Sequence, residues 1–245
     1  MMCRACHSDK LYSVISRKDF ILLFCLKCTL LQQKDIIPAN KEAIGLKNVV
    51  DRVLSKVTLR MEDVVVDILS QDGTLLKYYP KDLIRVGFDP LYQGKYQGVN
   101  MLLVNRWFTH KTYKAVFQLL PPHKDKLPKI ISAVNVINNI SNPYSLIQSI
   151  SQTLHPSGVF VIRDNYLGNI IGQHNIPLQN SYFSLYALER LLHHFGLEVF
   201  DIEDDFKVFI RHMMPLRQLR VKEREVGLNN RLTYTLWDMK LKSQS

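Results

Sequence analysis

The sequence predicts an α/β protein built on a doubly wound, mostly parallel sheet, preceded by a small four-cysteine module. Three observations predict it. From Val64 onward, short apolar runs of strand length alternate with helical stretches, the order that a parallel sheet covered on both faces requires. The first two of these runs end in an acid, Asp67 and Asp89. All four cysteines stand within the first 28 residues, in two Cys-x-x-Cys pairs.

The cysteines come first in the chain. Cys3-x-x-Cys6 and Cys25-x-x-Cys28 are separated by 18 residues. Four thiolates in two such pairs close a tetrahedral zinc site. The interval suits a hairpin of Leu11–Ile15 with Phe20–Phe24. Two disulfides would need an oxidising compartment, for which nothing in the sequence argues. A redox pair would need a thioredoxin-like strand and helix rather than a flanked hairpin. With sulfur at all four positions the zinc is structural, and His7 is not needed as a ligand.

The zinc knuckle therefore takes residues 1–35, and residues 36–61 form a helical connector. Asn40–Leu59 is patterned as a helix with Ile44, Val49, Val53, Leu54 and Val57 on its apolar face. The main domain follows over residues 62–215. Its strands are Val64–Asp67, Arg85–Asp89, Met101–Asn105, Lys129–Val136 and Val159–Arg163. Asp72-Gly73-Thr74 opens a short helical stretch, Leu75–Tyr79. Thr109–Leu120 is helical and is stopped by Pro121-Pro122, and Pro143–Leu154 is ended by the turn His155-Pro-Ser-Gly158. Leu185–Phe195 is an amphipathic helix capped by Ser184 and ended by Gly196. Leu197–Ile202 and Phe206–Arg211 are spaced as an antiparallel terminal hairpin, and residues 216–245 form a basic helix and tail.

Composition bounds the function classes. The chain is 47% hydrophobic and 22% charged, enough for a sizeable core. No apolar run approaches the ~20 residues of a membrane span. Cys3 follows the start too closely for a signal peptide, so a cytoplasmic setting is expected. The net charge of +10 is unevenly placed: +6 over residues 1–60, −2 over 61–205 and +6 over 206–245. Basic ends suit RNA or another polyanion, and equally suit solvated helix faces. In the tail, Arg217, Arg220, Lys222 and Arg224 are interleaved with Leu216, Leu219 and Val221, a narrow apolar stripe beside a wide basic face.

In a doubly wound sheet the ligand lies beyond the carboxyl ends of the strands, at the switch point. The turn after the first strand is Asp67-Ile-Leu-Ser-Gln-Asp-Gly-Thr-Leu-Leu76. Asp89 follows Asp67 by 22 residues, the spacing of an acid placed on ribose hydroxyls. This turn resembles the Glu-Ile-Gly-Ser-Asn-Asp-Gly-Thr-Leu-Leu loop of the zinc-binding sugar C-methyltransferases. Cys3-Arg4-Ala5-Cys6, with Leu30-Leu31-Gln32 after the last cysteine, is similar to that family's knuckle. Leu154–Ile162, Tyr182–Leu185, Phe195–Asp201 and Glu225–Leu228 with Tyr234 extend the resemblance over nearly the whole chain, without the family's extra C-terminal domain.

The resemblance implies a seven-stranded class I methyltransferase-like sheet that binds S-adenosylmethionine. It implies that Asp67, Ser70, Asp72, Gly73, Asp89 and Asn135 hold the cofactor. Asn139, Tyr166, His174, Gln179 and Tyr182 would face the acceptor, and the two tyrosines serve equally as core aromatics. The departures fall at the chemistry. The loop's first Gly is Leu69 and its Asn is Gln71. The family's Asn-Val-x-Glu-His reads Asn135-Val-Ile-Asn-Asn139. Its Tyr-His-Glu-His reads Ile176-Pro-Leu-Gln179, and its Ile-Glu-x-Pro-Tyr reads Ile162-Arg-Asp-Asn-Tyr166. No catalytic residue is identified. Two functions are expected from this pattern. One is an S-adenosylmethionine-dependent methyltransferase with a changed acceptor, a nucleotide sugar or glycan, or RNA. The other is a methyltransferase-fold scaffold, catalytically inactive, that works through its basic ends. His193 and His194 are expected to be surface or packing residues.

Overall fold

The computed structural model describes residues 1–17, 20–37, 45–94, 97–120, 123–170, 177–203 and 206–213. The cysteine module is built from β1 (Leu11–Arg17), β2 (Phe20–Cys25) and β3 (Leu31–Gln33), paired antiparallel in that order. The connector helix α1 (Leu46–Leu54) follows. Helix and strand then alternate: β4 (Val64–Ile68), α2 (Thr74–Lys77), β5 (Ile84–Phe88), the two-residue β6 (Gln97–Gly98), β7 (Met101–Val104) and α3 (His110–Gln118). The second half holds β8 (Pro128–Val134), α4 (Pro143–Thr153), β9 (Val159–Arg163), α5 (Leu167–Ile170), β10 (Ser181–Tyr182), α6 (Leu185–His194), β11 (Leu197–Glu203) and β12 (Lys207–His212).

The large sheet runs β11-β12-β9-β8-β4-β5-β7-β6. Strands β9, β8, β4, β5 and β7 are mutually parallel, and β12 lies antiparallel between β9 and β11. Seven strands in that order, closed by an inserted antiparallel hairpin, make the class I methyltransferase variant of the doubly wound fold. β6 adds an eighth, two-residue strand at the edge. Both β4 and β5 are buried along their whole length because helices cover both faces. On one face Phe117, Ile147 and Leu188 from α3, α4 and α6 pack on the sheet. On the other, Val49, Val53, Leu75 and Leu76 from α1 and α2 do so. No helix among the described residues is long and apolar enough to cross a membrane.

Side-chain caps set the helix starts. Thr109 and Thr112 form a reciprocal capping box at α3, Asn142 caps α4 with Pro143 at its first position, and Ser184 accepts from the Ala187 N–H at α6. The connector helix is shorter than the Asn40–Leu59 pattern predicts. Gly45 holds φ at +69°, a left-handed conformation that cannot continue a helix, so α1 starts at Leu46. Val50 joins Val49 and Val53 in its buried face, while Ile44 lies outside the described residues.

The sequence pattern misses the short strands β3, β6 and β10, and β10 is the one that ties the module to the main domain. Only two residues long, β10 belongs to the main domain, yet it pairs with β3 and becomes the fourth strand of the module's sheet. The cysteines are also part of the main core. Cys3, Cys25, Cys28, Ala5 and Leu30 pack in one cluster with Phe183 and Leu188.

Candidate functional site

The two cysteine pairs sit on turns of the same construction. The His7 N–H donates to the Cys3 carbonyl at 3.0 Å, and the Thr29 N–H to the Cys25 carbonyl at 2.9 Å. Each turn is closed by a left-handed residue, His7 at φ +55° and Thr29 at φ +62°. The turns bring Cys3 Sγ to 3.5 Å from Cys28 Sγ and Cys6 Sγ to 3.6 Å from Cys25 Sγ, with all four sulfurs within 4.8 Å of one another. A tetrahedron with Zn–S bonds of about 2.3 Å has S···S edges of roughly 3.8 Å, so the cluster is compatible with zinc. Crowding splits the thiols. The hydrogen bond from Cys28 pushes Cys3 down to about 5, while burial raises Cys6 to about 11. His7 stands outside the cluster and packs on Tyr144, their rings 4.1 Å apart. Tyr144 in turn shares a hydrogen bond of 2.9 Å with His194, an exposed histidine at the end of α6.

The second candidate site is the carboxyl edge of the large sheet. The strand order reverses between β4 and β8, the place where doubly wound sheets bind ligands. Asp67 is fully buried there and accepts from Ser132 Oγ at 2.8 Å, tying β4 to β8 at that point. The loop after β4 then turns back through alternate left-handed residues: Leu69 at φ +53°, Gln71 at +51° and Gly73 at +74°. Gly73 suits this position because its φ of +74° strains any residue with a side chain, and a Cβ there would also press on the Met101 side chain. Gly87 on β5 is required for close packing, since a Cβ there would collide with Ser70 Oγ and come within 2.7 Å of Ser70 Cβ. The Ser70 hydroxyl is buried in that cradle with no hydrogen-bond partner.

Asp89 stands one residue beyond β5 and is 5% exposed. Its Oδ2 accepts from the Gln71 N–H at 2.9 Å and its Oδ1 from the Leu91 N–H at 2.8 Å. Each carboxylate oxygen keeps further acceptor capacity. Asp72 is exposed and serves the helix turn: Thr74 donates to it from both hydroxyl and N–H, which holds its carboxyl below the ordinary range. Among the predicted cofactor residues the structure thus gathers Asp67, Ser70, Gly73 and Asp89 around one loop, with Asp72 on the solvent side.

Asn135, left-handed at φ +54°, closes β8; its N–H donates to the Arg163 carbonyl at 2.7 Å. Asn139 Nδ2 donates to the Asn135 carbonyl at 3.1 Å. Tyr166 stacks on Phe206 with centroids 4.7 Å apart, and burial pushes its hydroxyl up to about 12. Gln179 is buried with its Oε1 unpartnered. Tyr182 is fully buried, donates to the Pro177 carbonyl at 2.6 Å and packs with Leu22 and Ile170. His174 lies outside the described residues, as do Arg217, Arg220 and Arg224.

Sequence reasoning missed several groups here. Asp164, just past β9, is buried and accepts from the Asn138 and Asn165 N–H groups. Burial pushes its carboxyl up to about 6. It stands one residue later than the acid of the resembled pattern, so a position-by-position reading passes over it. Tyr79 has a fully buried, unpartnered hydroxyl, and burial and the nearby Asp67 raise its ionisation further. Leu91 and Trp107 are exposed, 77% and 57%, on the loops after β5 and β7, where apolar side chains rim the edge. Two cavities, of about 380 and 360 Å3, lie at the opposite, amino-terminal edge, around Arg85 and Met101 and around Lys129 and His155.

Asp164 carries a pH signature. Its folded pKa lies above the unfolded value of 3.8, so the folded protein binds the extra proton. The stabilisation is present below pH 4 and is lost as pH rises through about 6, on the order of 3 kcal/mol at ~1.4 kcal/mol per pH unit. Urea unfolding from pH 4 to 7 is expected to show this downward contribution in the native chain and to lack it in Asp164→Asn. Identical slopes in the two proteins would mean that Asp164 titrates normally.

No family model matches the chain, and no curated protein matches it in sequence. Solved structures do match. An S-adenosylmethionine-dependent methyltransferase from Clostridium acetobutylicum aligns with a TM-score of 0.49 at 10% identity, over 72% of this chain and 94% of its own. The YcgJ protein from Bacillus subtilis aligns with a TM-score of 0.48 at 16% identity, over 64% and 70%.

Proposed function

We propose that this protein binds S-adenosylmethionine at the carboxyl edge of β4, β5 and β8 and transfers its methyl group to a nucleotide sugar or glycan. The four cysteines hold one structural zinc. The observation that carries the reading is the pair of buried carboxylates, Asp67 and Asp89, flanking a left-handed loop at the switch point. Left-handed non-glycine residues each cost about 1 kcal/mol or more; Leu69, Gln71, Asn135 and Phe206 lie at this edge, while Glu62 and Asn100 lie at the opposite one. Gly87 lets the loop pack directly on β5 through Ser70, whose buried hydroxyl is left as an unpartnered polar group at this edge.

When bound, S-adenosylmethionine supplies a methyl group already activated on a sulfonium. The chain's task is then to position and to exclude water. Asp89 takes the ribose hydroxyls, Asp67 fixes the amino-acid end, and Trp107 and Leu91 rim the nucleoside side. On the acceptor side Asn139, Tyr166 and Gln179 offer amide and hydroxyl groups suited to a polyhydroxyl ligand. Asp164, with its carboxyl near 6, is a buried proton acceptor close to neutral pH.

One observation favours the second reading, a scaffold without catalysis. Leu69 is 6% exposed and packs in the main core from the loop that meets the cofactor. Calorimetric titration with S-adenosylhomocysteine separates the two. Native protein is expected to bind, and Asp89→Ala to bind at least tenfold more weakly, the loss of charged hydrogen bonds of about 1.5–3 kcal/mol. No binding by the native protein hands the case to the scaffold.

A further inference from the structure

The polar residues between the cysteine module and the sheet edge form one continuous chain. Arg4 lies between Cys3 and Cys6 and is 8% exposed. Its N–H donates to Gln32 Oε1 at 2.9 Å, and its guanidinium donates to the carbonyls of Asn180 and, at 3.4 Å, Lys34. Asn180, 1% exposed, is the hub. Its Oδ1 accepts from the Ile37 N–H at 2.8 Å, and its Nδ2 donates to the carbonyls of Ile37 and Asn139. Asn139 Nδ2 donates in turn to the Asn135 carbonyl, and the Asn135 N–H to Arg163 at the end of β9. The Ser181 N–H closes the set on the Asn138 carbonyl at 2.9 Å.

A buried guanidinium is costly to hold unless its donors are met. Arg4 spends its donors on backbone carbonyls of two other segments. Its own backbone is bracketed by two cysteines of the four-sulfur cluster, so what fixes those sulfurs fixes the root of the arginine. The left-handed Asn135 needs such outside support, since its conformation is unfavourable by itself. We infer that Arg4 is a positioning residue: anchored between two metal-ligand cysteines, it holds, through Asn180, the Asn135–Asn139 turn at the edge where the cofactor and acceptor meet. The ligand side of this inference rests on the proposed function. The relay itself rests only on the hydrogen bonds.

Amide hydrogen exchange on the full, zinc-loaded chain tests it, with calorimetry as a second arm. In Arg4→Ala, the amides of Asn139, Ile140, Ser181 and Gln33 are expected to exchange at least tenfold faster. Those of β4 and β5 should keep native protection, and zinc content should stay at one equivalent. Asn180→Ala keeps the carbonyl that Arg4 uses but breaks the link to Asn139. It should free Asn139 and Ile140 while leaving the Cys3 and His7 amides protected. Arg4→Lys should recover part of the protection, since one ammonium reaches one carbonyl. Affinity for S-adenosylhomocysteine should fall about tenfold in both alanine variants. Native exchange at Asn139 and Ile140 in both variants overturns the relay, and so does protection lost evenly across the sheet. If the native protein binds no S-adenosylhomocysteine, the function reading fails while the exchange arm still decides the relay. Should Arg4→Ala not fold, Arg4→Lys and Asn180→Ala carry the same decision.

Discussion

Stripping the zinc proposed for the four-cysteine site is expected to destabilise the main domain along with the module, lowering the melting temperature by more than 10 °C. A structural zinc contributes ~10–16 kcal/mol in small finger peptides, as much as the whole stability of an ordinary domain, about 5–15 kcal/mol. In many knuckles that loss stays local. Here it cannot, for two reasons. Cys3, Cys25 and Cys28 are at most 1% exposed and share a core cluster with Phe183 and Leu188. The module's fourth strand, Ser181–Tyr182, belongs to the main domain. Loss of the metal leaves four crowded thiols beneath α6, in place of a cross-link. Calorimetric melting with and without a chelator, alongside metal analysis, checks this, and Cys25→Ser should reproduce the chelated melt. Purified protein that is metal-free and melts unchanged would remove zinc from the account altogether.

How far the sequence reached depends on the range of the signal. Local patterns were readable: the alternation of apolar runs located every long strand of the large sheet to within about two residues, and Thr109, Asn142, Pro143 and Ser184 mark helix starts by capping chemistry. The cysteine spacing carried the cluster because its chemistry admits few geometries. What was not readable is set by long-range contacts. The Ser181–Tyr182 strand is too short to show a period, and its partner lies about 150 residues away in the chain. The fate of Tyr182 follows from that pairing, which turns its ring into the module's small core. Asp164 was hidden by its one-residue displacement, and Arg4 by looking like one more charge in a basic end. Its 8% exposure removes it from any surface that a polyanion would meet.

Leu69 decides between catalysis and scaffold, and Leu69→Gly is expected to raise affinity for S-adenosylhomocysteine by tenfold or more. The gain comes from the loop itself: glycine reaches backbone conformations closed to leucine, and loss of the buried side chain gives the turn room to follow the proposed ligand. The backbone strain of a leucine at φ +53°, about 1–2 kcal/mol, is present with and without ligand and so enters stability rather than affinity. Stability moves the other way: lost burial and the cavity left behind cost about 2–5 kcal/mol, partly offset by the relieved strain, so a net loss of about 1–3 kcal/mol is expected. Titration calorimetry on both proteins, with urea unfolding as the control, reads the two effects separately. A native chain that binds weakly, and a glycine variant that binds tightly, would mark Leu69 as the residue setting cofactor affinity. Tight binding by the native chain with no gain in the variant would show that the leucine packs clear of the ligand. A variant that is less stable and still binds nothing would leave the edge, with Asp67 held by Ser132 and Asp89 by Gln71, as a rigid element of a scaffold.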